Sequence, residues 1–275
     1  MPAQALTSTS IRQPQKTEVK GLRLRRILFA LLSLFLFTSL GVVQTSAQTG
    51  AQTGKRDAAE LIKSGNAKYA HAEYESAIAV YARVSPAAGE IFAQALYNQG
   101  VCYYELWRTT EAVAMYRKAL AARGGRYPRA AYALGVALED LQRPAEASAA
   151  YRAAIASAGE TGETYAAADF RLGLAAAQQD DFTGAVLLFR RALSGSRAAF
   201  PAAHNNLGVA LARTGRLHEA EREFATAIRQ DRGEGRSRFP EAAQNLELCR
   251  SLLKAGAEAR VASLVLIAGK DFSTK

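Results

Sequence analysis

The chain has 275 residues, 49% of them hydrophobic, with 7 prolines, 2 cysteines and a formal net charge of +10. That is enough apolar chain for one large domain or two small ones, leaning to helix through its many Ala, Leu and Arg residues, and it excludes collagen, disulfide scaffolds and mucin-like stalks. Half of the charge is local, because Arg12, Lys16, Lys20, Arg23, Arg25 and Arg26 face the single acid Glu18 within residues 1–26; the rest of the chain shows no run of like charges, a solvated mixed surface on which nucleic acid is not an expected partner.

Residues 1–26 form a basic flank, and residues 27–47 follow as a signal peptide or membrane anchor. Ile27 to Val43 (ILFALLSLFLFTSLGVV) carries no charge. As a helix it spans about 25 Å, at the short end for a bilayer crossing and slightly long for a signal core. Thr45-Ser46-Ala47 favours cleavage after Ala47 and secretion. The long basic lead favours retention as an inner-membrane anchor through residues 27–43, with the flank cytoplasmic and the remainder periplasmic or otherwise extracytoplasmic in the cell envelope. Residues 48–56 carry most of a duplicated tetrapeptide, AQTG at 47–50 and again at 51–54. Without apolar periodicity they read as a flexible spacer.

From residue 57 to 253 an internal period decides the architecture. Gly65, Gly100, Gly135, Gly173 and Gly208 are each followed twelve residues later by alanine (Ala77, Ala112, Ala147, Ala185, Ala220). Sixteen residues after each glycine comes an aromatic (Tyr81, Tyr116, Tyr151, Phe189, Phe224), and nineteen after, a small residue (Val84, Ala119, Ala154, Ala192, Ala227). The physical reading is two antiparallel helices per unit, with small residues where backbones approach and the ring filling the gap.

This order of Gly, Ala, aromatic and Ala resembles the tetratricopeptide repeat, most closely in LGVALARTGRLHEAEREFATAI at 207–228. The resemblance implies an all-α fold, a right-handed α-solenoid of antiparallel helix pairs. Trp107, Gln142 and Asp180 stand where Gly215 supplies the usual turn residue. A further regularity lies outside the family pattern. Eight residues before each glycine but the first sits Phe92, Tyr127, Tyr165 or Phe200, and Phe239 precedes a degenerate sixth first helix in which Glu247 takes the glycine place. The first repeat has Asp57 there and no preceding repeat, so these aromatics are expected to be mostly buried against the preceding helix pair. Residues 254–275 form a capping segment and tail, with a capping helix expected within 257–268.

No catalytic, cofactor-binding or metal-ligating constellation is present. His71, His204 and His218 are scattered, and Cys102 and Cys249 lie four repeats apart in first helices, as small buried hydrophobes. The chain therefore reads as a binding protein and not an enzyme, with other proteins or peptide segments as partners. Stacked first helices line the concave face, and helical geometry places the inward stripe six, three and two residues before each glycine and one, four and five after it. The resulting groove holds Asn66, Tyr69, Tyr97, Asn98, Tyr104, Arg129, Tyr132, Phe170, Arg171, Asn205, Asn206 and Arg213. Amides suit the backbone of an extended peptide, arginines its carboxylates, and aromatics its contact area. Packing between neighbouring helices is an equal reading for Tyr132 and Phe170.

Some cytosolic members of the family grip acidic chaperone tails with two asparagines and three bases. Asn66, Asn98 and Arg129 match three of those places, but Ile62 and Ala133 occupy the other two, so that function is not expected. The leading reading is an exported, membrane-tethered interaction scaffold. Its alternatives are an envelope polyanion binder, through the Arg-rich stretch from Arg213 to Arg238, and an accessory subunit of an envelope enzyme complex.

Overall fold

The computed structural model describes residues 52–159, 165–231, 239–255, 264 and 266. The chain divides into two units, Met1–Arg56 and Asp57–Lys275. The basic flank, the apolar segment 27–47 and the start of the spacer lie outside the described residues. Among those described, no helix is long and apolar enough to cross a membrane. Residues 52–56, expected as spacer, are helical. Once a turn has nucleated, each further residue adds a hydrogen bond at little cost, so exposed polar residues extend a helix without packing.

The helices are α1 (52–70), α2 (Tyr74–Tyr81), α3 (Glu90–Glu105), α4 (Thr109–Ala122), α5 (Pro128–Asp140), α6 (Pro144–Gly159), α7 (Ala166–Gln178), α8 (Phe182–Gly195), α9 (Pro201–Arg213), α10 (Leu217–Asp231) and α11 (Pro240–Ala255). No strand occurs among the described residues. Pro128, Pro201 and Pro240 open α5, α9 and α11, where a missing N–H leaves no bond unmade.

Odd and even helices pair, and each pair is closed at one place. A Cβ built on Gly65, Gly100, Gly135, Gly173 or Gly208 would lie 2.3 to 2.6 Å from a ring carbon of Tyr81, Tyr116, Tyr151, Phe189 or Phe224. No side chain fits there, which is why glycine and the aromatic recur together sixteen residues apart. The alanines four residues before those rings are fully buried for the same reason.

The turn between the two helices of each pair also repeats. Ala72, Trp107, Gln142, Asp180 and Gly215 have φ of 58°, 60°, 57°, 59° and 80°. At each, two backbone bonds close the first helix; in the second repeat the Trp107 N–H donates to the Tyr104 carbonyl and the Arg108 N–H to the Tyr103 carbonyl, both at 2.9 Å. This is the Schellman arrangement, which favours glycine. A left-handed conformation costs a non-glycine residue roughly 1–2 kcal/mol, of which the greater unfolded-state freedom of glycine offsets about 0.5–1. Trp107 is 91% exposed and gives up little packing. Trp107→Gly should therefore raise the urea midpoint, by up to about 1 kcal/mol of stability; a lowered midpoint would contradict the assignment of that turn.

Successive pairs stack, α4 on α5, α6 on α7, α8 on α9 and α10 on α11. Buried side chains form successive clusters around Tyr81, around Tyr116 and Tyr151, and around Phe189 and Phe224. Each repeat thus depends chiefly on its neighbours, an all-α solenoid in which stability is a sum of nearest-neighbour terms. Cys102 and Cys249 are buried and unpaired in separate clusters. Burial pushes the Cys102 thiol up to about 12 and raises that of Cys249, so both are poor nucleophiles. Of the segment expected as a capping helix only Leu264 and Leu266 are described, neither in a helix; the rest of 257–268 lies outside the described residues.

Candidate functional site

Three of the residues assigned to the groove turn out to hold consecutive repeats together. Tyr97 lies 5.8 Å from Tyr116 of its own repeat and 5.6 Å from Tyr127, which opens the next. Tyr132 stands likewise between Tyr151 (5.6 Å) and Tyr165 (5.4 Å), and Phe170 between Phe189 (5.7 Å) and Phe200 (5.0 Å). Each junction is therefore a stack of three tilted rings, a favourable aromatic geometry. The aromatic eight residues before the glycine does pack on the preceding pair, as expected. Only Phe200 is buried, however; Phe92, Tyr127, Tyr165 and Phe239 are half-buried. The middle rings Tyr132 and Phe170 are buried and offer a partner no surface, whereas half-buried Tyr97 retains some.

Along the stripe itself runs a polar ladder. The Tyr69 hydroxyl donates to Glu105 Oε1 at 3.3 Å, and one repeat later Tyr104 donates to Asp140. Asn66 Oδ1 accepts from the Tyr81 hydroxyl (2.7 Å) and from Asn98 Nδ2 (3.2 Å). Arg171 Nη1 donates to Glu139 Oε2 and Arg213 Nη2 to Asp180 Oδ1, both at 3.3 Å, and the Arg213 guanidinium sits 4.0 Å above the Phe182 ring. Sequence reasoning missed the acids Glu105, Glu139 and Asp140. For Glu105 and Asp140 the signal was a tyrosine four residues after one glycine matched by an acid five residues after the next.

Burial first, and then the Glu105 carboxylate, pushes the Tyr69 hydroxyl up to about 12; burial and the bond to Asp140 raise Tyr104 in the same direction. A raised folded-state value means that the stabilisation is full below the ordinary value of 10.0 and is lost as pH rises through the folded value. Absorbance titration should therefore show much of the tyrosine ionising later in the folded chain than in denaturant. Coincident curves would rule the ladder out.

The expected groove residues thus separate into groups. Asn66 and Arg129 are exposed, and Tyr69, Tyr97, Asn98, Tyr104, Arg171 and Arg213 are half-buried. Arg129 has no ion pair among the described residues. Asn205 and Asn206 are fully buried, joined to Asn245 in a chain of amides, and do not face solvent. At the middle of the stripe Arg171 Nε and the Tyr151 hydroxyl are buried, with Tyr132 beside Arg171 and Glu139 beside the Tyr151 hydroxyl. A second, open cleft of about 490 Å³ lies between α6, α7 and α8 and is lined by Arg152, Leu172, Leu188 and Arg191. Among the described residues no three His, Cys, Asp or Glu side chains group as metal ligands.

Stacked first helices carrying a row of polar groups belong to a helical-repeat solenoid. The tetratricopeptide repeat family model matches residues 62–127, 108–161, 132–201 and 195–235. Those matches join into more than half of the chain, and the protein belongs to the tetratricopeptide repeat family.

Among solved structures it is similar to PilF of Pseudomonas aeruginosa, at 20% identity over 78% of this chain and 89% of that one, with a TM-score of 0.56. MamA from Desulfovibrio magneticus RS-1 is 18% identical over 66% and 98% of the two chains, with a TM-score of 0.53. YrrB, described as a TPR protein with an unusual peptide-binding site, is 23% identical over 75% and 97%, with a TM-score of 0.51. At these identities the likeness is one of fold. A comparison with curated proteins finds no match.

Proposed function

We propose that the protein is an exported, membrane-tethered interaction scaffold that takes an extended segment of a partner protein along the concave stripe of α1, α3, α5 and α7. The observation that carries this reading is the run of donor-bearing side chains that reach solvent, from Asn66 and Asn98 through Arg129 to half-buried Arg171. Peptide carbonyls and carboxylates are the acceptors such a row satisfies. The peptide-binding site named for YrrB fits this reading. Export rests on the basic flank and the apolar run of residues 27–43.

The polyanion alternative is weakened by internal pairing of two of its arginines. Arg216 bonds Glu219 at 2.6 Å and Arg213 is held by Asp180, while Arg222 and Arg229 have no ion pair among the described residues. Arg232, Arg236 and Arg238 lie outside the described residues.

A photo-crosslinking side chain at Asn98, on the stripe, should capture a discrete protein in intact cells, while the same group at exposed Leu187 on α8 should not. Equal capture from both positions would contradict the groove. For the export half, alkaline phosphatase fused after Lys275 should be active, and a reporter active only in the cytoplasm would contradict it.

A further inference from the structure

The concave stripe closes towards the C-terminal end. Six residues before the glycine, Gln94 of α3 and Arg129 of α5 are exposed; the same place holds alanine in the next two first helices, half-buried as Ala167 of α7 and buried as Ala202 of α9. One residue after the glycine, Val101 and Val136 are half-buried whereas Val209 is 1% exposed. Two residues before it, Asn98 is half-buried and Asn206 fully buried. Side-chain size does not account for the gradient, since alanine is compared with alanine, valine with valine and asparagine with asparagine. Neighbouring helices do not account for it either, because α11 stands beside α9 as α9 stands beside α7 and α5 beside α3. Something else covers α9.

Leu264, at 7% exposure, is buried in the cluster that contains Leu174, Ala202 and Val209, and Leu266 packs against the same cluster. The two leucines are two residues apart, lie outside any helix and both pack against this cluster. Side chains at alternate positions share a face in extended chain, whereas a helix turns such residues about 200° apart.

We propose that the concave face of α9 is a peptide site for an extended segment with apolar residues at alternate positions, and that the segment carrying Leu264 and Leu266 occupies it as an internal ligand. The proposal rests on the groove reading and deepens it. The N-terminal part of the stripe is open to a partner, and the C-terminal part accepts one only after the chain's own segment has left.

The probe is a labelled peptide of residues 259–270 (ARVASLVLIAGK), titrated against the full chain and against the full chain carrying Leu264→Asp and Leu266→Asp. A site occupied nine-tenths of the time lowers apparent affinity about tenfold, so the variant should bind the peptide at least about tenfold more tightly than the parent. Maleimide labelling of Ala202→Cys should be slow in the parent and fast in the variant, and slow again once peptide is added; Gln94→Cys should label fast throughout. If the aspartates diminish helical ellipticity, Leu264→Ala with Leu266→Ala carries the same comparison. Equal affinity of parent and variant, no binding by either, or an Ala202→Cys protected in both would overturn the proposal. Crosslinking from Asn98 reports the partner reading separately, since that position lies away from α9.

Discussion

Replacing Phe170 by alanine is expected to cost about 3–5 kcal/mol, the usual range for deleting a buried phenyl ring. The ring is 0% exposed and is the middle member of the Phe189–Phe170–Phe200 stack, where ring pairing adds about 0.5–1.5 kcal/mol beyond area burial. In a linear array the loss falls on one junction. Hydrogen exchange should accelerate across α7 to α9 while α3 and α4 keep their protection, and a denaturant transition that is single in the parent should split in two. The matching change at half-buried Tyr97 should cost less. A single unshifted transition for Phe170→Ala would show that the stack does not couple the repeats.

The second large effect belongs to the buried amides. Asn245 Nδ2 donates to Asn205 Oδ1 at 2.9 Å, and Asn205 Nδ2 donates to Asn206 Oδ1 at 3.1 Å. Asn205→Ala takes one bond from each neighbour in a site without solvent. With about 1–3 kcal/mol for each of the two buried hydrogen bonds removed, the expected loss is roughly 2–6 kcal/mol. Since the first substitution already breaks the Asn205–Asn245 bond, adding Asn245→Ala should cost less than it does alone, and a double-mutant cycle on urea midpoints measures the shortfall. Strict additivity would mean that the amides do not act as one chain.

These residues mark where a reading from sequence succeeds and where it stops. The glycine–aromatic pairs were legible because each contact is closed within one repeat and therefore recurs at fixed spacing. The left-handed turn was legible for the same reason, even with Trp107, Gln142 and Asp180 in the place of glycine. Tyr97, Tyr132 and Phe170 were assigned to the groove because the position three before the glycine borders both the concave stripe and the junction. Helical spacing cannot choose between two adjacent faces. The approach of Tyr127, Tyr165 and Phe200 from the following repeat decides it.

Asn205 takes the same junction place, three before its glycine. Asn206 was misplaced for a different reason: it shares the place of Asn98, but its burial accompanies that of Leu264, more than fifty residues further on and outside the period. The acids Glu105 and Asp140 were passed over because each gains meaning only from a tyrosine one repeat earlier.

The central claim is that the first helices form the binding face. It is tested most directly by hydrogen exchange on the full chain with and without the protein captured through Asn98. New protection is expected in α3, α5 and α7, with the smallest changes in α4, α6 and α8. Protection concentrated in those second helices, with α3, α5 and α7 unchanged, would contradict it.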